Sequence, residues 1–223
     1  MSGPATTGPG GGTDVAAFIR THLPLREVPG LPGIRLHLAT PASRLGRLAA
    51  ETGSDAPPYW AYLWGGGLAL AHHIRAHPDT LAGRRVLDFG AGSGLVGIVA
   101  AQAGAARVFA AERDPNGRAA LTLNAAANGI TVELQEIGPG ADAPPVDLVL
   151  AGDVFYAPEI AARSLALLTL WQNAGIEVLI GDPFRRDLPL ERLRLIAEYE
   201  AADFGSGRAL TRSGVFRLEP GPS

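Results

Sequence analysis

The stretch that most constrains this chain is Val86-Leu87-Asp88-Phe89-Gly90-Ala91-Gly92-Ser93-Gly94-Leu95-Val96-Gly97. A short apolar run ends in Asp88. Three alternating glycines follow, and then an apolar run with helical periodicity. This order predicts a strand, a tight turn and a helix. The glycines let the backbone bend sharply and approach a ligand with no Cβ in the way. The helix beginning near Leu95 aims its first N–H groups at the same place. The expectation is a cofactor cradle at the carboxyl end of a first strand.

Glycine turns of this kind also serve NAD and FAD, and some carry no ligand at all. Two acids narrow the choice. Glu112 ends the next apolar run, 18 residues past Gly94. An acid at that distance can accept hydrogen bonds from both ribose hydroxyls. Asp88 directly precedes the loop, where a dinucleotide site usually needs no carboxylate. A cofactor with a cationic amino-acid tail gains from one, which favours S-adenosylmethionine.

The 223 residues predict a single domain, and 47% hydrophobic content is ample for a core. Cysteine is absent, so disulfides, thiolate metal sites and cysteine nucleophiles are excluded. A net charge of −3 argues against general nucleic-acid binding. All 19 basic residues are arginine. With the richness in alanine and glycine, this reads as the coding bias of a high-GC, bacterial genome. It also leaves the protein no lysine of its own to modify. Neither a signal peptide nor an apolar run long enough to span a bilayer is read, so the expectation is a cytoplasmic protein with no membrane partner. With no repeat or heptad pattern, a monomer is expected.

Residues 1–12 are rich in glycine, proline and threonine and are expected to be disordered. Residues 13–223 form the domain, of which 13–64 are an N-terminal extension and an aromatic lid. A helix starts at Asp14, a strand covers 33–40, and a helix covers 43–52. Tyr59, Trp60, Tyr62 and Trp64 crowd six residues of a chain that is 6% aromatic. They serve either as a lid over a ligand or as a hydrophobic cap on the sheet. A helix over 68–77 places His73 and His77 one turn apart, but no third metal ligand is evident, so no metal is expected.

Asp114-Pro115 opens a helix that closes at Gly129. Strands follow over 130–135, 146–151 and 176–180, with a helix from Pro158. Residues 187–195 are expected to be helical, and 196–201 with 211–218 to form a closing antiparallel pair. The alternation predicts a doubly wound, mostly parallel α/β sheet in three layers.

The glycine loop and Glu112 resemble the first two motifs of class I S-adenosylmethionine-dependent methyltransferases. More narrowly, Pro58-Tyr59-Trp60-Ala61, Gly152-Asp153-Val154-Phe155-Tyr156, Gly181-Asp182-Pro183 and Arg212-Ser213-Gly214-Val215-Phe216-Arg217-Leu218 resemble the electron-transfer flavoprotein β-subunit lysine methyltransferases. Phe184 departs from that pattern, which has glycine there. The resemblance implies a Rossmann-like seven-stranded sheet, order 3-2-1-4-5-7-6, with the last strand antiparallel. It implies S-adenosylmethionine as cofactor, S-adenosylhomocysteine as product, and a lysine-bearing protein as partner. Asp153 and Tyr156 are then the catalytic candidates: Asp153 to orient the amine and accept its proton, Tyr156 to hydrogen-bond the amine or close the pocket. The cofactor candidates are Trp60, Trp64, Asp88, Gly90, Gly92, Gly94, Glu112, Arg113, Ile137 and Gly152. Asp88 and the loop backbone would hold the methionine amino end, and Glu112 the ribose. Trp60 and Trp64 would offer ring faces to a cation, and the loop at 138–145 would lie along the adenine edge, with Gln135, Glu136 or Ile137 as contacts. A small-molecule N- or O-methyltransferase and a non-catalytic cofactor-binding protein are the alternatives.

Overall fold

The computed structural model describes residues 13–204 and 210–221. The expected tail at 1–12 lies outside them. Helix α1 (Val15–His22) begins at Asp14, whose carboxylate accepts the N–H of Ala17 at 3.0 Å. An antiparallel ribbon follows, β1 (Leu25–Val28) on β2 (Leu31–His37). The sequence shows only the second of these. In β1 Val28 alone is buried, so alternation leaves no signal there. Helix α2 (Leu45–Thr52) ends on Gly53, and a 3-10 turn covers Tyr59–Ala61. Helix α3 (Gly65–Ala76) then starts three residues earlier than the glycine run predicts.

The doubly wound part follows: β3 (Arg85–Phe89), α4 (Leu95–Gln102), β4 (Arg107–Ala111), α5 (Pro115–Ala127), β5 (Glu133–Leu134), β6 (Leu148–Gly152), α6 (Pro158–Asn173), β7 (Glu177–Asp182), β8 (Leu193–Ala201) and β9 (Thr211–Leu218). The sheet order is β5-β4-β3-β6-β7-β9-β8, with β9 antiparallel to both neighbours. Counted within the sheet, this is the expected 3-2-1-4-5-7-6. Two segments differ from expectation. Strand β5 shrinks to two residues on the sheet edge. The helix expected over 187–195 is absent: a 3-10 turn, Leu190–Arg192, leads straight into β8, which pairs along its whole length with β9. Its leucines follow a helical spacing, but hydrogen bonding to β9 outweighs local preference.

Both sheet faces are buried, which is why the central strands read as continuous apolar runs. Leu148 and Leu150 of β6 join the core under α3 and α4, while Val149 and Ala151 face the core that holds Leu168 and Trp171 of α6. A third cluster, with Phe18, Ile19, Leu48, Trp60 and Ala120, fastens the N-terminal segment to α5. Two asparagines one turn apart, one on α5 and one at its C-cap, complete that attachment. The fully buried Asn124 accepts the His37 N–H and donates to the Ser93 carbonyl, both at 2.8 Å. Asn128 exchanges two hydrogen bonds with the backbone of Arg35. The ribbon and the glycine loop are therefore held by one side chain. No helix of the described residues is long and apolar enough to cross a membrane.

Candidate active site

The glycine loop sits at the carboxyl end of β3, between β4 and β6. Gly90, Gly92 and Gly94 have φ of +73°, +52° and +81°, where only glycine is unstrained. Glu112, at the tip of β4, reaches across: Oε2 accepts the Gly92 N–H at 2.7 Å and Oε1 the Asp114 N–H at 2.8 Å. Burial pushes this carboxyl above its usual range, and the N–H donors pull it back. With the Gly92, Asp114 and Arg113 N–H groups on it, the carboxylate keeps an acceptor position for a hydroxyl. Arg113, beside it, is exposed. Ile137, just past β5, is half-buried against the core around Phe89.

Two cofactor expectations change here. Asp88 is 1% exposed, and its Oδ2 accepts the Gly97 N–H of α4 at 2.8 Å. Its carboxyl is turned into the fold, where burial lifts its pKa to about 7. It fixes the loop to its helix and does not reach an amino-acid tail. Trp60 is 3% exposed and packs as core against the N-terminal helices, so neither ring face is open to a cation. Its Nε1 is buried without a hydrogen-bond partner. The Trp60 backbone lies over Gly92, with its Cα 3.8 Å from where a Gly92 Cβ would stand. A cradle of glycines and an acid at the second strand tip together fit S-adenosylmethionine.

The second half of the site lies at the ends of β6 and β7. Gly152 and Gly181 pair across these strands, and each is followed by aspartate. Helix α3 starts directly on them. A Cβ on Gly181 would run into the Gly66 carbonyl, and one on Gly152 would stand 2.9 Å from Gly67 Cα. The first N–H groups of α3 are capped from outside the helix. Gly66 and Gly67 donate to Asp153 Oδ1 and Oδ2 at 3.1 and 2.6 Å, and Gly65 donates to Asp203 at 3.0 Å. Asp153 itself sits at φ +58°, a strained position that aspartate tolerates better than most residues. Its side chain is 12% exposed. Arg185 closes the cluster. It donates to Asp153 Oδ1 and to Asp182 Oδ2 at 3.3 Å, lies 3.5 Å from Asp203, and has its backbone N–H on Asp182 at 2.6 Å. Burial pushes Asp153 up against the pull of Arg185 and the two N–H groups, and lifts Asp182 to about 6.

Above the acids runs a chain of aromatic contacts. Tyr156 meets Tyr59 at 5.3 Å, Tyr59 meets Trp64 at 5.6 Å, Trp64 meets Phe204 at 5.8 Å, and Phe204 stacks on Tyr62 at 3.8 Å. Tyr59, Tyr156 and Phe204 are 44%, 47% and 58% exposed. The Arg185 guanidinium lies 5.9 Å from the Trp64 ring. The two readings of the 59–64 aromatics thus divide by residue: Trp60 is cap, whereas Tyr59 and Trp64 are rim.

The fold brings Asp153, Tyr156, Trp64 and Gly152 into this cluster, and Gly90, Gly92, Gly94 and Glu112 into the loop. His73 and His77 are held otherwise, by the Tyr199 hydroxyl and by the helix's own carbonyl. Among the described residues no group of three metal-ligating side chains occurs. Sequence reasoning missed Arg185, Asp182 and Asp203. The signal for the first two was present: Gly-Asp closes two adjacent strands, and Pro183 and Arg185 follow the second. Phe184 sits at φ +61°, which accounts for the glycine expected there. It is held by the Phe216 ring edge at 5.4 Å and by Arg212 at 4.8 Å.

Comparison with known proteins identifies the family. The family model for ribosomal protein L11 methyltransferase (PrmA) matches residues 74–154, which include the glycine loop and Asp153. The electron transfer flavoprotein beta subunit lysine methyltransferase of Xenopus laevis is 35% identical over 217 residues, covering 92% of this chain and 87% of that protein. Its human counterpart is 31% identical over 218 residues, with coverage of 93% and 83%. Among solved structures, a putative RNA methyltransferase from Pyrococcus horikoshii shares the fold, with a TM-score of 0.55 at 15% identity over 80% of this chain and 98% of that one. The chain is a class I, S-adenosylmethionine-dependent methyltransferase, and it belongs to the electron transfer flavoprotein beta subunit lysine methyltransferase family.

Proposed function

We propose that this enzyme methylates lysine Nζ on the β-subunit of an electron transfer flavoprotein, the substrate class in its relatives' names. Bound S-adenosylmethionine supplies a methyl group on a sulfonium, whose sulfur leaves neutral and needs no acid. The chain's own task is to align an amine and exclude water. Glu112 would take the ribose hydroxyls, and the glycine loop would give the backbone close approach to the cofactor.

The observation that carries the reading is the one open acceptor position of Asp153 under the aromatic rim. A carboxylate has about four acceptor positions. Asp153 Oδ1 takes Gly66 and Arg185, whereas Oδ2 takes Gly67 alone. The remaining place on Oδ2 accepts one hydrogen of the incoming amine. Tyr59, Trp64 and Tyr156 cover the lysine stem and keep water from it.

The test is incubation of purified electron transfer flavoprotein with the enzyme and labelled cofactor, followed by peptide mass spectrometry. Because the chain has no lysine, label on lysine cannot be self-modification. Methyl-lysine on the β-subunit is expected. Asp153→Asn should lower turnover by about 100-fold or more, in the range that one acid–base group contributes, with cofactor affinity retained. Label confined to small molecules, or unchanged turnover in Asp153→Asn, would overturn the reading.

A further inference from the structure

We propose that Arg185 is the positioning residue of the site, holding Asp153 by its Oδ1 so that Oδ2 is left for the methyl acceptor. The inference rests on the reading of Asp153 as the group that receives the amine. Three observations carry it. First, Arg185 is the cation that links all three strand-end acids, Asp153, Asp182 and Asp203, and its side chain is only 19% exposed. Second, its contact falls on Oδ1 of Asp153, the oxygen that also takes Gly66, so Oδ2 is the oxygen left under-filled. Third, the Asp153 backbone is strained, and a strained residue persists only where its surroundings over-determine it. Arg185 and the N-terminus of α3 supply that constraint together.

The charge balance gives Arg185 a task that packing alone would not need. Around Asp153 stand two further carboxylates, Asp182 and Asp203, and one guanidinium. The first N–H groups of α3 add only a partial positive charge. Without Arg185, a buried Asp153 beside Asp182 gains a proton and loses its acceptor position to it. Burial already pushes Asp153 upward, and Arg185 is the charge that pulls it down. A protonated Asp153 would still cap α3 but could no longer take the amine's hydrogen.

The test compares Arg185→Met, Arg185→Lys and Asp153→Asn with the parent, using purified electron transfer flavoprotein as acceptor across pH 5.5 to 9. Cofactor binding is measured by calorimetry. For Arg185→Met we expect kcat to fall about 100-fold, cofactor Kd to stay within about twofold, and the acid limb of kcat/KM to move up by about one pH unit or more. Arg185→Lys keeps the charge without the planar fork, so its acid limb should stay in place while kcat recovers to within about tenfold of the parent. If Arg185→Met does not fold, Arg185→Gln, which keeps a donor and lacks the charge, replaces it with the same expectation. An unmoved acid limb, or a loss that lies wholly in cofactor affinity, would overturn the proposal. Parental turnover in Asp153→Asn would instead sink the function proposed above and this inference with it. An inactive Asp153→Asn beside a parental pH profile in the Arg185 variants would sink this inference alone.

Discussion

Two groups of glycines face each other across the carboxyl end of the sheet, and they exist for opposite reasons. Gly90, Gly92 and Gly94 have positive φ and would be strained with any side chain. Gly66 and Gly181 have ordinary backbone angles but touch backbone to backbone, where a Cβ has no room. The first group supplies conformational freedom for a loop, and the second supplies close approach between a helix and two strands. Each group also has a strand-end aspartate capping a helix. Asp88 caps α4 through Gly97, and Asp153 caps α3 through Gly66 and Gly67. Asp153 has Arg185 beside it. Asp88 has the neighbouring charge of Glu112, which pushes it further upward after burial has done most of the work.

The largest effect expected is at the packed group. Gly181→Ala should destabilise by about 3 kcal/mol or more, the upper range for overpacking, with loss of the soluble folded protein or a large fall in urea midpoint. A variant with parental stability would break the comparison.

The next concerns the uncompensated acid. Asp88 holds its proton to about pH 7 when folded, against an ordinary value of 3.8. Between these values the unfolded chain is ionised and the folded chain is not. The Asp88 contribution therefore weakens as pH rises from about 4 to 7, by up to about 1.4 kcal/mol per unit. Asp88→Asn keeps an acceptor for Gly97 and lacks that slope. Its stability relative to the parent should rise up to about pH 7 and then level off, read by urea unfolding at each pH.

Gly92→Ala meets nothing closer than 3.8 Å, so its cost is conformational, about 1 kcal/mol for a left-handed residue. Calorimetry should show a loss of cofactor affinity well beyond that of an exposed Gly→Ala change elsewhere. If Gly92→Ala destabilised as much as Gly181→Ala, the distinction between the two groups would fail. The smallest effect expected is for Phe184→Gly. Relief of φ +61° is offset by losing the Phe216 and Arg212 contacts, for a net change within about 1 kcal/mol by chemical denaturation.

Legibility in the sequence tracks locality. The Asp14 and Asp114 caps, the turn at Gly129 and the cradle at 90–94 were all readable, because each acts within a few residues of itself. The start of α3 was not. Three glycines are poor helix formers, and they are helical here because Asp153 and Asp203 cap them from distant strands while Gly152 and Gly181 admit their backbone. The helix expected over 187–195 failed for the same reason in reverse, since β9 recruits that segment from a distance. Asp88 precedes the loop and the Trp60 backbone lies over Gly92, but burial decided which way each side chain faced.

By itself the sequence determined the α/β class, the glycine loop and the acid that follows it, because these rest on short-range periodicity and backbone chemistry, whereas the strand order came only from the family resemblance. Only the tertiary structure decided that Asp153, Asp182 and Asp203 converge on Arg185 under an aromatic rim. That meeting depends on strand ends far apart in the chain being brought side by side, and no local pattern records the pairing.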